Sequence, residues 1–240
     1  MSGAHPGGGR YASPVPQVLS VNVGAGAEKT YAKTRLTGID KQPADGPVAV
    51  RSPGRRGVSG LAGDFIGDGR HHGGDRQAVY AFQREDLDRW QTELGRALPN
   101  GSFGENLTTV GIDLDQVRVG ERWSVGDPGS DEGLELVVTD PRIPCRTFAG
   151  FLAERGWVKR FTAEGRPGTY LAVARPGVVR AGDEIRRTFV PDHDVTVGLL
   201  FRATTTERDL LPRLLEAREH LDAQTVALVD SRETFVLDEA

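Results

Sequence analysis

Val178-Val179-Arg180-Ala181-Gly182-Asp183 and, earlier in the chain, Val117-Arg118-Val119-Gly120-Glu121 share one pattern. Each sets a glycine and an acid between two β-branched strand halves, the way a strand turns a corner around a strongly curved sheet. Around these corners lie short β-branched stretches at 107–111, 116–125, 134–139 and 178–189, separated by Gly or Asp turns. Further upstream, Val18-Leu19-Ser20-Val21-Asn22-Val23 alternates apolar and polar residues with the period of a half-buried strand. Residues 30–39 and 48–51 read as two more strands, with Asp45-Gly46-Pro47 as the turn between them. The spacing predicts a mainly β fold with some α, a closed or nearly closed β-barrel over residues 17–195.

Outside the strands the pattern changes. Residues 60–75 carry too many glycines for regular structure and read as a long loop, and 77–82 as the start of a helix or a short strand. Leu87, Trp90 and Leu94 fall on one face of a helix over 85–94, ended by Gly95 and Pro99. After residue 195 helical spacing takes over: Thr196 caps 197–202, Thr206 caps 207–216 with Leu210, Leu211, Leu214 and Leu215, and a third segment covers 220–229. Residues 196–240 are therefore expected to form a helical appendage, and the Gly-, Pro-, Ser- and Ala-rich residues 1–16 a disordered lead-in.

Composition narrows the function. A formal charge of −4 and a pI near 5.8 argue against binding nucleic acid or membrane over the whole surface, so no stable partner of either kind is expected. The 30 lysines and arginines leave room for a local basic pocket. One cysteine cannot form an internal disulfide. The first residues show no signal-peptide pattern and no apolar run approaches the ~18 residues of a membrane span. These features point to a cytoplasmic protein.

Three segments could carry chemistry. In Pro141-Arg142-Ile143-Pro144-Cys145-Arg146 two prolines stiffen the backbone, and Arg142 and Arg146 would favour the thiolate that attacks or binds metal. A lone cysteine is otherwise most often a small buried hydrophobe. In Gly67-Asp68-Gly69-Arg70-His71-His72-Gly73-Gly74-Asp75-Arg76 the glycines could turn backbone amides into an anion nest, with Arg70, Arg76 and one of the histidines beside it. The alternative there is a solvated turn. A calcium loop fails, because Ile66 falls on a ligand position and no closing Glu follows. Gly101-Ser102-Phe103-Gly104-Glu105-Asn106 offers a tight loop with Asn106 as a two-way hydrogen-bonding group and Glu105 as an acid or base, or simply a hairpin lead-in. A Cys–His–Asp group from Cys145, His72 and Asp75 or Asp68 lacks a protease signature, and the five histidines include no zinc-type pair.

Taken in order, Leu19-Ser20-Val21-Asn22-Val23, Gly63-Asp64, His72-Gly73-Gly74, Ala78-Val79-Tyr80, Phe103-Gly104-Glu105-Asn106-Leu107, Val119-Gly120 and Pro141-Arg142-Ile143-Pro144-Cys145 resemble the MOSC domain. This module also closes the molybdenum-cofactor sulfurases, and the likeness is strongest to its stand-alone, YiiM-like bacterial branch. The resemblance implies a β-barrel in which Cys145 is both catalytic residue and molybdenum ligand, with the dithiolene of a molybdopterin supplying further sulfurs. It implies Arg142, Arg146, Arg70, His72, the Gly73 and Gly74 amides and Asn106 as cofactor contacts, with Glu105 as a further substrate or pterin contact. The activity implied is reduction of small N-hydroxylated compounds such as hydroxylaminopurines, with a separate redox protein as electron donor and a homodimer as one possible assembly. A three-helix tail fits the same branch. No pyridoxal phosphate is expected, because the chain holds no domain for it. A sulfur or cofactor carrier using a Cys145 persulfide is the rival reading, and a structural protein with a buried cysteine the third. One departure stands out: Arg76-Gln77 occupies the place of an acid followed by Lys or Gln, which would make the pocket more basic.

Overall fold

The computed structural model describes residues 15–237. The expected lead-in lies outside them as far as residue 14. Gln17–Val23 (β1) is followed by the short strands Ala27–Glu28 (β2), Leu36–Thr37 (β3), Gln42–Pro43 (β4) and Val48–Val50 (β5). Val79–Gln83 (β6) runs into the helix Arg84–Leu94 (α1), and the chain returns as Leu107–Val110 (β7). Arg122–Val125 (β8) and Leu134–Pro141 (β9) lead to the helices Arg146–Leu152 (α2) and Trp157–Glu164 (α3). Thr169–Arg175 (β10), Gly177–Val179 (β11) and Ile185–Phe189 (β12) complete the strands.

Eight strands form one sheet in the order β12-β8-β9-β10-β6-β7-β1-β4. Every neighbouring pair is antiparallel except β6 and β7, which run parallel with Ala81 opposite Leu107. That pair needs a crossover, and α1 lies in it. β6 shows why the sheet is covered on both faces. Val79 and Ala81 enter an aliphatic core with Val21, Trp123, Leu136 and Leu171, whereas Tyr80 and Phe82 point the other way into an aromatic one. The aromatic core holds Trp90 of α1, Phe103, Phe148 of α2, and Trp157 and Phe161 of α3. Phe103 sits at its centre, within 4.9–6.4 Å of five of these rings.

The fold is mixed α/β, and the barrel does not close. No ladder joins β12 to β1. Their ends meet at a single bridge, Gln17 to Glu184, flanked by backbone bonds from Val18 N to Asp183 O, Gly182 N to Val18 O and Ile185 N to Pro16 O, each 2.8 Å. β1 has β4 on the same edge at Asn22 and Val23, so only its first residues remain for β12. Both corner glycines do turn the chain, Gly120 at φ 87 and Gly182 at φ 90. The expected strand at 30–39 shrinks to β3, because Lys29 to Arg35 close on themselves in turns with Arg35 left-handed at φ 64. α2, α3 and β10 were not read from the sequence, although Trp157, Val158 and Phe161 bury one helical face.

Beyond the sheet come Val197–Thr205 (α4), a kinked 3-10 segment Arg208–His220 and Ala223–Ser231 (α5). Thr196 caps α4 through the Leu199 amide, as expected. The second segment is not the α-helix its leucines suggest: Pro212 lies inside it and Ala217 leaves helical geometry. Leu199, Leu200, Leu211, Leu214 and Val229 form a third core with Val119 and Val195 of the body. Among the described residues no helix is long and apolar enough to cross a membrane.

Gly120 and Gly182 share their backbone strain but not their surroundings. A Cβ on Gly120 would lie 2.6 Å from the His220 ring, whereas one on Gly182 would meet nothing within 4 Å. Gly182→Ala should lose only the left-handed penalty of roughly 1–2 kcal/mol. Gly120→Ala should lose about 1–3 kcal/mol more through overpacking. Equal losses in urea unfolding would contradict the packing of His220 on this corner.

Candidate functional site

A cavity of about 550 Å³ lies beside Cys145, walled by the 33–41 and 56–77 segments, the end of β9, α4 and the start of α5. β9 ends at Pro141, and Arg142, Ile143 and Pro144 carry the chain to Cys145. Cys145 has extended backbone and begins α2, its carbonyl accepting from the Ala149 amide at 3.0 Å. It is partly buried and packs against the edge of the aromatic core.

Arg142 turns inward and is only 5% exposed. Its guanidinium carbon lies 4.3 Å from the Phe148 ring centroid and 4.9 Å from that of Tyr80. Nη1 donates to the Phe103 carbonyl, while Nε has no partner among the described residues, and no carboxylate pairs with it there. The Phe103-Gly104-Glu105 and Pro-Arg-Ile-Pro-Cys segments thus form one unit. Gly104, at φ 70, makes the approach possible, because a Cβ there would sit 2.9 Å from Ile39 and 3.4 Å from Arg142. Glu105 is fully buried and braces the loop, accepting from the Gly101 amide (2.6 Å), the Phe103 amide (3.0 Å) and Thr108 Oγ1 (2.8 Å). Burial pushes its carboxyl up despite those bonds. It does not line the cavity, so it serves the loop and not a ligand.

Asn106 does line the cavity, but its amide is spent. Oδ1 accepts from the Tyr80 amide (3.1 Å), and Nδ2 donates to Asp64 Oδ2 (3.0 Å) and Asn22 O (3.3 Å). Asp64 in turn accepts from the Gly24 amide (2.9 Å), Ser59 Oγ (2.6 Å) and Lys41 Nζ. This buried Lys41–Asp64 pair was not anticipated. Burial drives the Lys41 ammonium below its usual range, with Arg142 adding to the effect and Asp64 resisting it.

The glycine-rich segment is less open than a nest. Its amides turn inward: Arg70 N to Asp68 Oδ1, His71 N and His72 N to Asp68 O, and Gly74 N to Val58 O. Gly73 lines the cavity, packed so closely on Val58 and Ile66 that a Cβ would lie 2.7 Å from each, and Gly74 does not line it. Both histidines reach the cavity wall. His71 is exposed and pairs with Asp68 at 2.9 Å, while the deeper His72 has Nδ1 3.5 Å from the Tyr170 hydroxyl. Burial, with Arg142 next, lowers the His72 pKa to about 4, so the ring is neutral at pH 7. Burial pushes the Tyr170 hydroxyl up to about 12 and keeps it protonated.

Arg76 does not make the pocket more basic. It forms a two-pronged pair with Asp140, both contacts 3.0 Å, and donates to the His220 carbonyl at 3.0 Å. Its charge is matched, and it joins the end of β9 to the appendage. Arg70 and Arg146 line the cavity from exposed positions. Cys145, Arg142, His72, Gly73, Arg70 and Arg146 are therefore brought together, while Gly74 and Glu105 are not.

The unfolded chain takes up a proton on His72 as pH falls through 6.5, and the folded chain only near 4. The stabilisation is thus complete above pH 6.5 and is lost between 6.5 and 4. In His72→Gln the thermal midpoint should fall less between those limits, by roughly 5 °C. Parallel profiles for the two proteins would mean His72 is not held neutral.

Comparison with known proteins identifies the family. The MOSC domain matches residues 68–186. Bacillus subtilis strain 168 YflK is 31% identical over 170 residues, covering 69% of this chain and 70% of YflK. A Gibberella moniliformis protein named Reductase is 28% identical over 178 residues, 72% of this chain but only 29% of its own length. The crystal structure of YiiM from Geobacillus stearothermophilus superposes with a TM-score of 0.71 at 26% identity, over 90% of this chain and 98% of that one. The chain is a YiiM-like member of the MOSC domain family.

Proposed function

We propose that this protein holds a molybdenum–pterin cofactor against Cys145 and reduces small N-hydroxylated compounds. The observation that carries the reading is Arg142, a buried guanidinium without a carboxylate, beside the chain's one cysteine on a large cavity. Such a cation calls for an anionic ligand, and a thiol for a soft metal. Among the described residues no group of three His, Cys, Asp or Glu could hold a metal unaided. That suits a metal whose remaining ligands arrive with its own cofactor.

When bound, the cofactor supplies a two-electron couple suited to cleaving an N–O bond. The chain's residues do the holding. Cys145, fixed between Pro144 and the first turn of α2, would present its sulfur to the metal. Arg142 meets the anionic part of the cofactor, and neutral His72 offers a ring nitrogen that can donate or accept. The Tyr170 hydroxyl, protonated and next to His72, can hold a proton at the cavity wall. One cysteine cannot ligate an iron–sulfur cluster, and a separate redox protein is proposed as the electron donor. The relative named Reductase supports an oxidoreductase role.

The test is expression with cofactor supply, followed by molybdenum content per chain and hydroxylaminopurine reduction. Cys145→Ala should lose most bound molybdenum and at least about 100-fold in activity, while the apo-protein unfolds at the same temperature. Undiminished activity would overturn the assignment. An extra sulfur on the Cys145 peptide of protein isolated without reductant would favour the sulfur-carrier role instead.

A further inference from the structure

Acids and cations around the cavity do not balance. Of the acids lining it, Asp64 pairs with Lys41 and Asp140 with Arg76, while Asp68 accepts from the Arg70 amide and meets the His71 ring, so the carboxylates left without a cation are fewer than the arginines. Asp222 caps α5, accepting from the Thr225 amide at 2.7 Å. Arg142, Arg56, Arg70 and Arg146 line the same cavity, and none has a carboxylate partner among the described residues. Arg56 Nη1 donates to the Arg70 carbonyl at 3.1 Å, so two facing loops present these arginines together. A protein with a formal charge of −4 thus keeps a positive cavity, which concentrates anions.

The cations stand in two tiers. Arg142 is buried, whereas Arg56, Arg70 and Arg146 are exposed. Resting on the reductase reading above, we propose that the outer tier binds a phosphate on the substrate, so that the substrate class is an N-hydroxylated base carried as its nucleoside phosphate. On this proposal the cofactor's anionic group takes the buried Arg142, and the exposed arginines are left for a second phosphate. Guanidinium forks match phosphate oxygens geometrically, and exposed pairs of this kind weaken with salt. The same phosphate chemistry has a second source, a nucleotide extension on the cofactor itself.

The experiment uses holoprotein of measured molybdenum content with hydroxylaminopurine, its riboside and the riboside monophosphate as substrates. AMP and adenosine serve as inert probes in equilibrium dialysis. The monophosphate should exceed the riboside in kcat/KM by about 10-fold or more in ~0.05 M salt, and the advantage should shrink in ~0.5 M salt. The proposal moves Arg70 and Arg146 from the cofactor contacts expected of them to the substrate, so in the Arg70→Gln/Arg146→Gln double variant that ratio should fall close to unity at unchanged molybdenum content. A wild-type ratio near unity would overturn the proposal. So would loss of molybdenum and of nucleotide from the double variant in parallel, which would give the outer tier to the cofactor. If none of the three compounds is reduced, the reductase reading fails instead, and the probes still decide the phosphate question. AMP binding about 10-fold tighter than adenosine and lost in the double variant sustains it; equal binding of the two overturns it.

Discussion

Taking a guanidinium out of water costs several kcal/mol unless the protein replaces its hydration. For Arg142 the replacement is a peptide carbonyl and two aromatic faces, and much of the surrounding structure exists to bring those within reach. Gly104 lets the backbone come close, Glu105 fixes the loop that presents the Phe103 carbonyl, β6 supplies Tyr80 and α2 supplies Phe148. Cys145 lies on the same short segment, between the arginine and the helix that carries Phe148. An anion entering here meets a cation whose dehydration folding has already accomplished. The association therefore does not bear the cation's desolvation a second time.

How much of this could be read in the sequence depends on how local the cause is. Alternation in Val18 to Val23 announces β1, and the residues around Gly120 and Gly182 announce two chain corners, because each depends on its immediate neighbours alone. Barrel closure was not legible. It depends on which partner takes the far edge of β1, and β4 takes part of it. Residues 30–39 looked extended through Thr30, Tyr31, Thr34 and Ile39, yet turn bonds within that stretch decide its path. Cys145, Arg142 and His72, which line one cavity, lie in stiff or glycine-rich segments that stand out in the sequence, and the family resemblance is what implied a role for them. Lys41 carried no such signal, since a single lysine becomes meaningful only when folding places Asp64 against it. Arg76 was visible but misread: its partner Asp140 lies 64 residues away.

That same arginine shows that the helical tail belongs to the site. Arg76 holds Asp140 at the end of β9 and the His220 carbonyl just before α5, while the His220 ring packs over Gly120 at the start of β8. Leu200, Thr204 and Thr225 of the tail line the same cavity as the cysteine segment. A ligand there touches sheet and tail at once, so the tail's position sets the shape of the cavity.

The bridge between Gln17 and Glu184 has a consequence for how the chain comes together. It joins the first strand to the last strand of the sheet, so nearly all of the intervening chain must exist before it can form. During synthesis β1 emerges before the turn at Gly182, and its first residues, paired with β7 on one edge, wait for their partner on the other. Contacts so distant in sequence carry a large loop-closure entropy and slow folding. The junction that keeps the curled sheet together is therefore expected to be the last part of the sheet to assemble and the point at which an incomplete chain is most exposed to mispairing.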